Sequence, residues 1–442
     1  MSTRYLLPLL LFTAAAPALG QSQQELTPAA PAPAQPPAAV PAPIVVQGDW
    51  KKSEAKELAA FIDEVGAEGL DPADYGAAAL REAIAGGDDD ALDRAATASF
   101  VKLASDLALG HARGDGRVDW HVQDDAFGPA EQQALLTRAL SGRAVSDTLR
   151  SVLPTHPQYA ALKSILASTA DSALKEKVRL NLDRWRWLPR DLGSKYVIVN
   201  VPAYTVSIVE NGTTLNRRRA VAGALKTPTP QLSAIITGAI FNPWWEVPTS
   251  LSGEVAGKKG YVSVPNGKGV RWRQPPGPSN ALGRVKLVMG NPYAIYLHDT
   301  NAKHLFDKQA RAYSHGCIRT EEAVGFAETL LDGTEWDHEK VQATVASKKT
   351  AQASLAQPIP VYIVYFTVAA TSDTPGHLVY SDLYKRDAPA LAALNDLPIP
   401  KPAPLAAPTK TAAAGAKPAT GKPAPAKPGT KPKPGTVASN QR

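Results

Sequence analysis

The feature that most constrains this chain is a change of hydrophobic period near Gly193. Before it, apolar residues recur at the 3.6-residue spacing of helices. After it come short β-branched runs closed by turn residues. Such a chain is not an alternating βαβ fold, and its two halves call for different architectures. Its 442 residues leave room for two cores.

In the first half, Ala55, Leu58, Ala59, Ile62 and Val65 share one helix face, which Gly66 and Gly69 end. Asp71-Pro72 has the form of a helix start. Asp88 to Asp90 lead into the stripe Leu92, Ala96, Phe100, Leu103 and Leu107, which Gly110 stops. Shorter helices are predicted over 129–140, 146–153 and 157–168, and a last one over 172–187. That last helix runs into Arg184-Trp185-Arg186-Trp187-Leu188-Pro189. Residues 50–190 show no convergent set of reactive side chains, and His111 and His121 read as surface or capping residues. This half is expected to be a helical scaffold or docking domain.

The second half, roughly 193–390, is expected to be mainly β. Lys195 to Val201 and Tyr204 to Val209 flank Asn211-Gly212, a strong hairpin signal. Further strands are predicted at Ala234–Ile240, Val285–Met289, Ala294–Leu297 and Val361–Val368. Trp244, Trp245 and Trp272 fall in the connections, where such rings line a core or a cleft. One helix is predicted here, with Thr320 as N-cap and Ala323, Val324, Ala327, Leu330 and Leu331 as its apolar face. The fold class is therefore α+β and multidomain.

The ends differ from both halves. Arg4, the apolar run Leu6 to Ala16 and the small residues before Gln21 have the pattern of a signal peptide over 1–20. The run is too short to span a bilayer. Export to the periplasm is the expectation. Residues 21–49 carry seven prolines and read as an extended tether. The stretch 396–442 is a Lys/Pro/Ala-rich tail, expected to be disordered. Its last 42 residues hold eight basic side chains and no acid, so the net charge of +7 belongs to the tail. The charge gives no reason to expect nucleic-acid binding. Adhesion to anionic envelope polymers and plain solubilisation both fit the tail.

The sole cysteine, Cys317, excludes an intramolecular disulfide framework and any multi-cysteine metal site. It stands in Ser314-His315-Gly316-Cys317-Ile318-Arg319, after Tyr296-Leu297-His298-Asp299-Thr300. A thiol attacks only as thiolate and needs a neighbouring base or cation. His298 and His315 lie 19 and 2 residues upstream, and Gly316 permits a backbone angle that turns N–H groups toward an oxyanion. Taken alone, these residues also fit a buried small hydrophobe. A metal cluster of His298, His304, His315, Asp299 and Asp307 is a further possibility, though it lacks the helical His-Glu spacing of zinc motifs.

The cysteine block with its upstream histidine resembles the signature of the L,D-transpeptidase (YkuD) family. Arg184 to Pro189, Asn242-Pro243-Trp244-Trp245-Glu246-Val247-Pro248 and Pro275 to Arg284 resemble its long Gram-negative subgroup. Gly69 to Tyr75 resembles the start of that subgroup's helical scaffold. The resemblance implies a peptidoglycan transpeptidase that makes 3→3 cross-links through a cysteine thioester and needs no cofactor or metal. It implies Cys317 as nucleophile and His298 as its proton acceptor and donor. Asp299 would hold the imidazole by side chain or backbone, and backbone N–H groups around His315, Gly316 and Cys317, with Ser314 in support, would hold the oxyanion. Arg319, Tyr296 and Trp245 are the candidate substrate contacts. Acylation of Cys317 by carbapenems is also implied. Alternatives with the same cysteine are an L,D-carboxypeptidase and a lipoprotein-anchoring acyl transferase, and a non-catalytic wall scaffold is another. A papain-like peptidase commonly has its cysteine before its histidine, the reverse of the order here. Peptidoglycan stem peptides are the expected partners, with other cell-wall synthesis proteins at the helical half. Two departures stand out. A peptidoglycan-binding module has no room between Tyr159 and Trp185, and the capping stretch between Trp245 and Pro275 is short.

Overall fold

The computed structural model describes residues 46–123, 127–267, 269–371 and 376–400. The expected signal peptide and nearly all of the expected linker and tail lie outside them. Among the described residues, seven helices form the first body: α1 (Lys52–Glu64), α2 (Ala77–Ala85), α3 (Asp89–Leu109), α4 (Pro129–Gly142), α5 (Val145–Arg150), α6 (Pro157–Ser168) and α7 (Ser172–Arg186). A two-residue strand, β1 (Trp120–His121), interrupts them. The starts follow the sequence: the Asp88 carboxylate accepts from Ala91 N at 3.1 Å, and that of Asp171 accepts from Ala173 N at 2.9 Å. Asp71-Pro72 opens only a short 3-10 turn, and left-handed Gly76 separates it from α2.

The β body begins with β2 (Lys195–Asn200), β3 (Thr205–Glu210), β4 (Thr213–Gly223) and β5 (Gln231–Phe241). Asn211 and Gly212, both with positive φ (49° and 77°), make the tight turn between β3 and β4. Next come β6 (Trp245–Glu246), α8 (Ser252–Val255), β7 (Val262–Asn266) and β8 (Gly269–Gln274). Then follow β9 (Val285–Met289), β10 (Leu297–His298), β11 (Ala312–Ser314) and β12 (Ile318–Thr320). The chain continues through α9 (Ala323–Leu330), α10 (His338–Ser347), β13 (Ala351–Val364), β14 (Val368–Ala370), β15 (His377–Val379) and α11 (Asp387–Leu394).

The main sheet runs β5-β13-β2-β3-β4-β12-β10-β9, and β9 pairs back onto β5, so the strands close into a ring. Closure leaves few free edges. Short β1 adds parallel to the start of β5, through Trp120↔Gln231 and His121↔Leu232. Strand β2 is buried on both faces: Val197 and Val199 enter the core of the ring, while Tyr196 and Ile198 pack on the helical core. That double burial explains its nearly unbroken apolar run.

The Arg-Trp-Arg-Trp run forms the seam between the two cores. Trp185 stacks between His156 (4.3 Å) and Phe366 (4.5 Å). Arg184 meets Asp387 at 2.7 Å, and fully buried Arg186 meets Asp183 at 3.0 Å. Helix α11 returns to the helical core through Ala390 and Leu394, so the C-terminal end of the expected 193–390 catalytic segment packs with the first body.

Two local expectations are corrected. Thr320 is a strand residue of β12, and the helix begins at Ala323 with left-handed Glu322 (φ 45°) before it. Among the described residues, α8, α10 and α11 are additions to the single helix expected in this half. The strand expected over Ala294–Leu297 shortens to Leu297–His298, because Asn291 Oδ1 accepts from Tyr293 N and Ile295 N and bends the chain through Ala294 at φ 54°. The short capping stretch is not bare loop: β6, β8 and β7 make their own three-stranded sheet, with α8 beside it.

Candidate active site

Three adjacent strands set out the site. His298 on β10 lies opposite Lys286 on β9 and opposite Arg319 on β12. Strand alternation puts residues two apart on one face. Tyr296 therefore shares the face of His298, and Cys317 that of Arg319. Ile318 N donates to Tyr296 O at 2.9 Å, extending the pairing to the residue before each strand. Lys286 Nζ sits 3.4 Å from the centre of the Tyr296 ring, as the shared face requires.

Cys317 is partly exposed and unoxidised. Its Sγ lies 3.6 Å from Ala294 O, and it accepts from the Tyr296 backbone N–H. Burial pushes the thiol up, against that N–H and the charges of Lys286 and Arg319. His298 is buried, and its Nδ1 lies 2.5 Å from Asp299 O. A carbonyl only accepts, so Nδ1 carries the proton and Nε2 keeps its lone pair. Burial and the neighbouring Arg319 hold the imidazole down at about 4. Thiol and imidazole are therefore both neutral near pH 7.

Asp299 reaches the imidazole only through its carbonyl. Its carboxylate, 1% exposed, turns away to accept from Arg284 N at 2.8 Å and to pair with Lys303. A Cβ at Gly283 (φ +65°) would collide with that carboxylate, so glycine is required there.

The turn that carries Cys317 is pinned from both sides. Ser314 Oγ accepts from Gly316 N at 3.1 Å and donates to Cys317 O at 2.5 Å. Gly316 takes φ +111°, a left-handed value suited to glycine. Its carbonyl accepts from Thr229 Oγ1 at 2.7 Å. In the planar peptide the N–H of Cys317 points opposite to that carbonyl. Of the donors expected around the turn, the Gly316 N–H is engaged by Ser314, and the Cys317 N–H lies on the side opposite the Gly316 carbonyl. His315 is half exposed, and its Nε2 lies 3.7 Å from Glu254 of the capping segment.

Trp245 belongs to the capping sheet, where its ring meets Tyr261 edge-on at 6.1 Å. The other groups of the possible metal cluster disperse. Asp307 pairs with Arg219 and His315 faces Glu254. Among the described residues, the acids and histidines close enough to share an ion are Asp74, His111 and Asp396. They lie on the helical side of the molecule.

Sequence reasoning did not single out Lys286 or Thr229. Lys286 sits in a strand that reads only as core, and Thr229 in a connecting loop. A further path runs to the first body. Arg386 donates to Thr229 O at 3.1 Å and pairs with Asp119 at 2.5 Å. Beside it, His121 stacks on Tyr293 at 4.3 Å, next to the Ala294 carbonyl that faces Sγ.

Residues 194–345 match the YkuD model, described as the L,D-transpeptidase catalytic domain, and residues 42–166 match a model described as a scaffold domain. A Haemophilus influenzae protein named "Putative L,D-transpeptidase" is 28% identical over 235 residues, 47% of each chain. This chain thus spans about half the length of that curated relative. Among solved structures, an L,D-transpeptidase from Mycobacterium smegmatis aligns at 13% identity and a TM-score of 0.22, over 38% of this chain and 58% of its own. An L,D-transpeptidase in complex with imipenem aligns at 14% identity and a TM-score of 0.22, over 39% of this chain and 59% of its own. The protein carries a YkuD-family L,D-transpeptidase catalytic domain with a scaffold domain N-terminal to it.

Proposed function

We propose that this protein is an exported peptidoglycan L,D-transpeptidase with Cys317 as nucleophile. The carrying observation is the placement of Cys317: a partly exposed residue on one strand face with His298, whose Nδ1 is engaged by the Asp299 carbonyl so that Nε2 carries the lone pair. The proposed reaction has two halves. As Sγ attacks the carbonyl of the third residue of a tetrapeptide stem, His298 takes the thiol proton. The Cys317 N–H stabilises the developing oxyanion. The C–N bond breaks, the proton passes to the departing nitrogen, D-alanine leaves, and a thioester remains. The side-chain amine of a second stem's diaminopimelate then attacks, giving up a proton to His298 as the C–S bond breaks. The product is a 3→3 cross-link and the free thiol. The cleaved amide supplies the energy.

A neutral imidazole and a neutral thiol on one strand face suit proton transfer during attack rather than a preformed ion pair. The test is incubation of the purified protein with disaccharide-tetrapeptide, read by mass spectrometry. Cross-linked dimer with D-alanine release supports the reading. Shortened monomers without dimers would replace it with a carboxypeptidase, and no turnover would remove it.

A further inference from the structure

The row Lys286–His298–Arg319 places two cations on either side of the imidazole and on the face that carries the sulfur. Neither cation has a carboxylate partner among the described residues, although many other arginines and lysines of the protein do. Arg319 Nε is buried with no hydrogen-bond partner among the described residues. Lys286 lies over the face of Tyr296 and within electrostatic reach of Cys317. Two like charges held partly out of water without a counter-ion are costly, and an anion entering between them relieves that cost.

We propose that Lys286 and Arg319 form a carboxylate subsite that recognises an α-amino carboxylate beside Cys317. This rests on the transpeptidase reading for its substrate but not for its chemistry. In a tetrapeptide stem the terminal carboxylate sits on the carbon bonded to the scissile nitrogen. It therefore enters the site a few bonds from the carbon that Sγ attacks. The amine that resolves the thioester also carries a carboxylate on its own carbon, at the far centre of diaminopimelate. Leaving group and acceptor are thus the same chemical unit, an amine and a carboxylate on one carbon. One pair of cations serves both halves of the reaction. It also excludes stems extended by another residue, whose carboxylate lies beyond its reach. The cations have a second effect. Both disfavour a charged imidazole, which offsets the opposite pull of the bound anion on His298.

The test compares iodoacetate with iodoacetamide on the intact protein. Each forms an Sγ–C bond as C–I breaks, iodide leaves and the thiol proton passes to water. Both need the same thiolate, so their rate ratio is independent of how acidic the thiol is. Relative to N-acetylcysteine amide, the wild type is expected to favour iodoacetate by about tenfold, the scale of one or two screened charges at close range. Lys286→Met and Arg319→Met should each lower the ratio, and Lys286→Arg should keep it. A wild-type ratio equal to that of the reference thiol would overturn the subsite. So would a ratio unchanged in the two methionine variants. A second arm compares acyl-enzyme formation from the tetrapeptide stem and from its terminal carboxamide. Loss of acylation with the carboxamide supports the subsite, and equal acylation overturns it. An iodoacetate preference without acylation by either peptide would remove the transpeptidase reading and leave the anion site standing.

Discussion

The hydroxyl of Thr229, in the loop before β5, donates to the carbonyl of Gly316, the residue before Cys317, at 2.7 Å. Thr229 is fully buried, and its other polar groups are engaged as well: Oγ1 accepts from Gly223 N at 2.9 Å, and its carbonyl accepts from Arg386. One side chain thus fixes the peptide plane whose opposite side is the Cys317 N–H. Thr229→Val should lower the acylation rate by about 10²-fold with little change in KM, the scale for a displaced oxyanion donor. Thr229→Ser should restore it. Equal activity of the valine variant would show that the turn holds without this bond.

The ion pair of Arg386 with Asp119 ties the same loop to the first body. Asp119→Ala leaves a buried guanidinium short of a partner. About 2 kcal/mol of stability should be lost, with part exposure of Asp119 keeping the cost below that of a fully buried pair. Chemical denaturation measures this. Acylation should also slow in the folded variant, whereas loss of stability at an unchanged rate would confine Asp119 to a structural role.

The pH dependence follows from the two neutral partners. The imidazole is held at about 4, so the acid limb of acylation should fall near that pH rather than at 6 to 7. The thiol is pushed above its ordinary value, so iodoacetamide labelling of the free enzyme should keep rising through pH 8 and 9. A labelling plateau between pH 5 and 8 would instead reveal a resting thiolate–imidazolium pair.

Carbapenem exposure should add the mass of one drug molecule to the wild type and none to Cys317→Ala. An adduct retained by the alanine variant would move the reactive group elsewhere.

The sequence was most informative where local chemistry decides structure. Asp88 marked a helix start, and Asn211-Gly212 marked the hairpin, because each works through its own backbone neighbourhood. The cysteine block was legible as a motif, and Gly316 as its hinge. What could not be read were relations across strands. Lys286 reaches the site only through the β9–β10 register, and no spacing along the chain encodes that pairing. Thr229 approaches Gly316 from 87 residues away. Asp299 illustrates the same limit: adjacency suggested a partner for His298, yet only folding decided that carbonyl, not carboxylate, makes the contact. Thr320 failed as a cap because strand pairing with Ala220 competes for it.

The most direct measurement is the mass of the intact protein after rapid acid quench of a reaction with disaccharide-tetrapeptide. The expected result is a species heavier by the stem minus D-alanine, mapped to Cys317, removed by hydroxylamine and absent in Cys317→Ala. Cross-linked product formed with no such species, or formed equally by the alanine variant, would contradict catalysis through this sulfur.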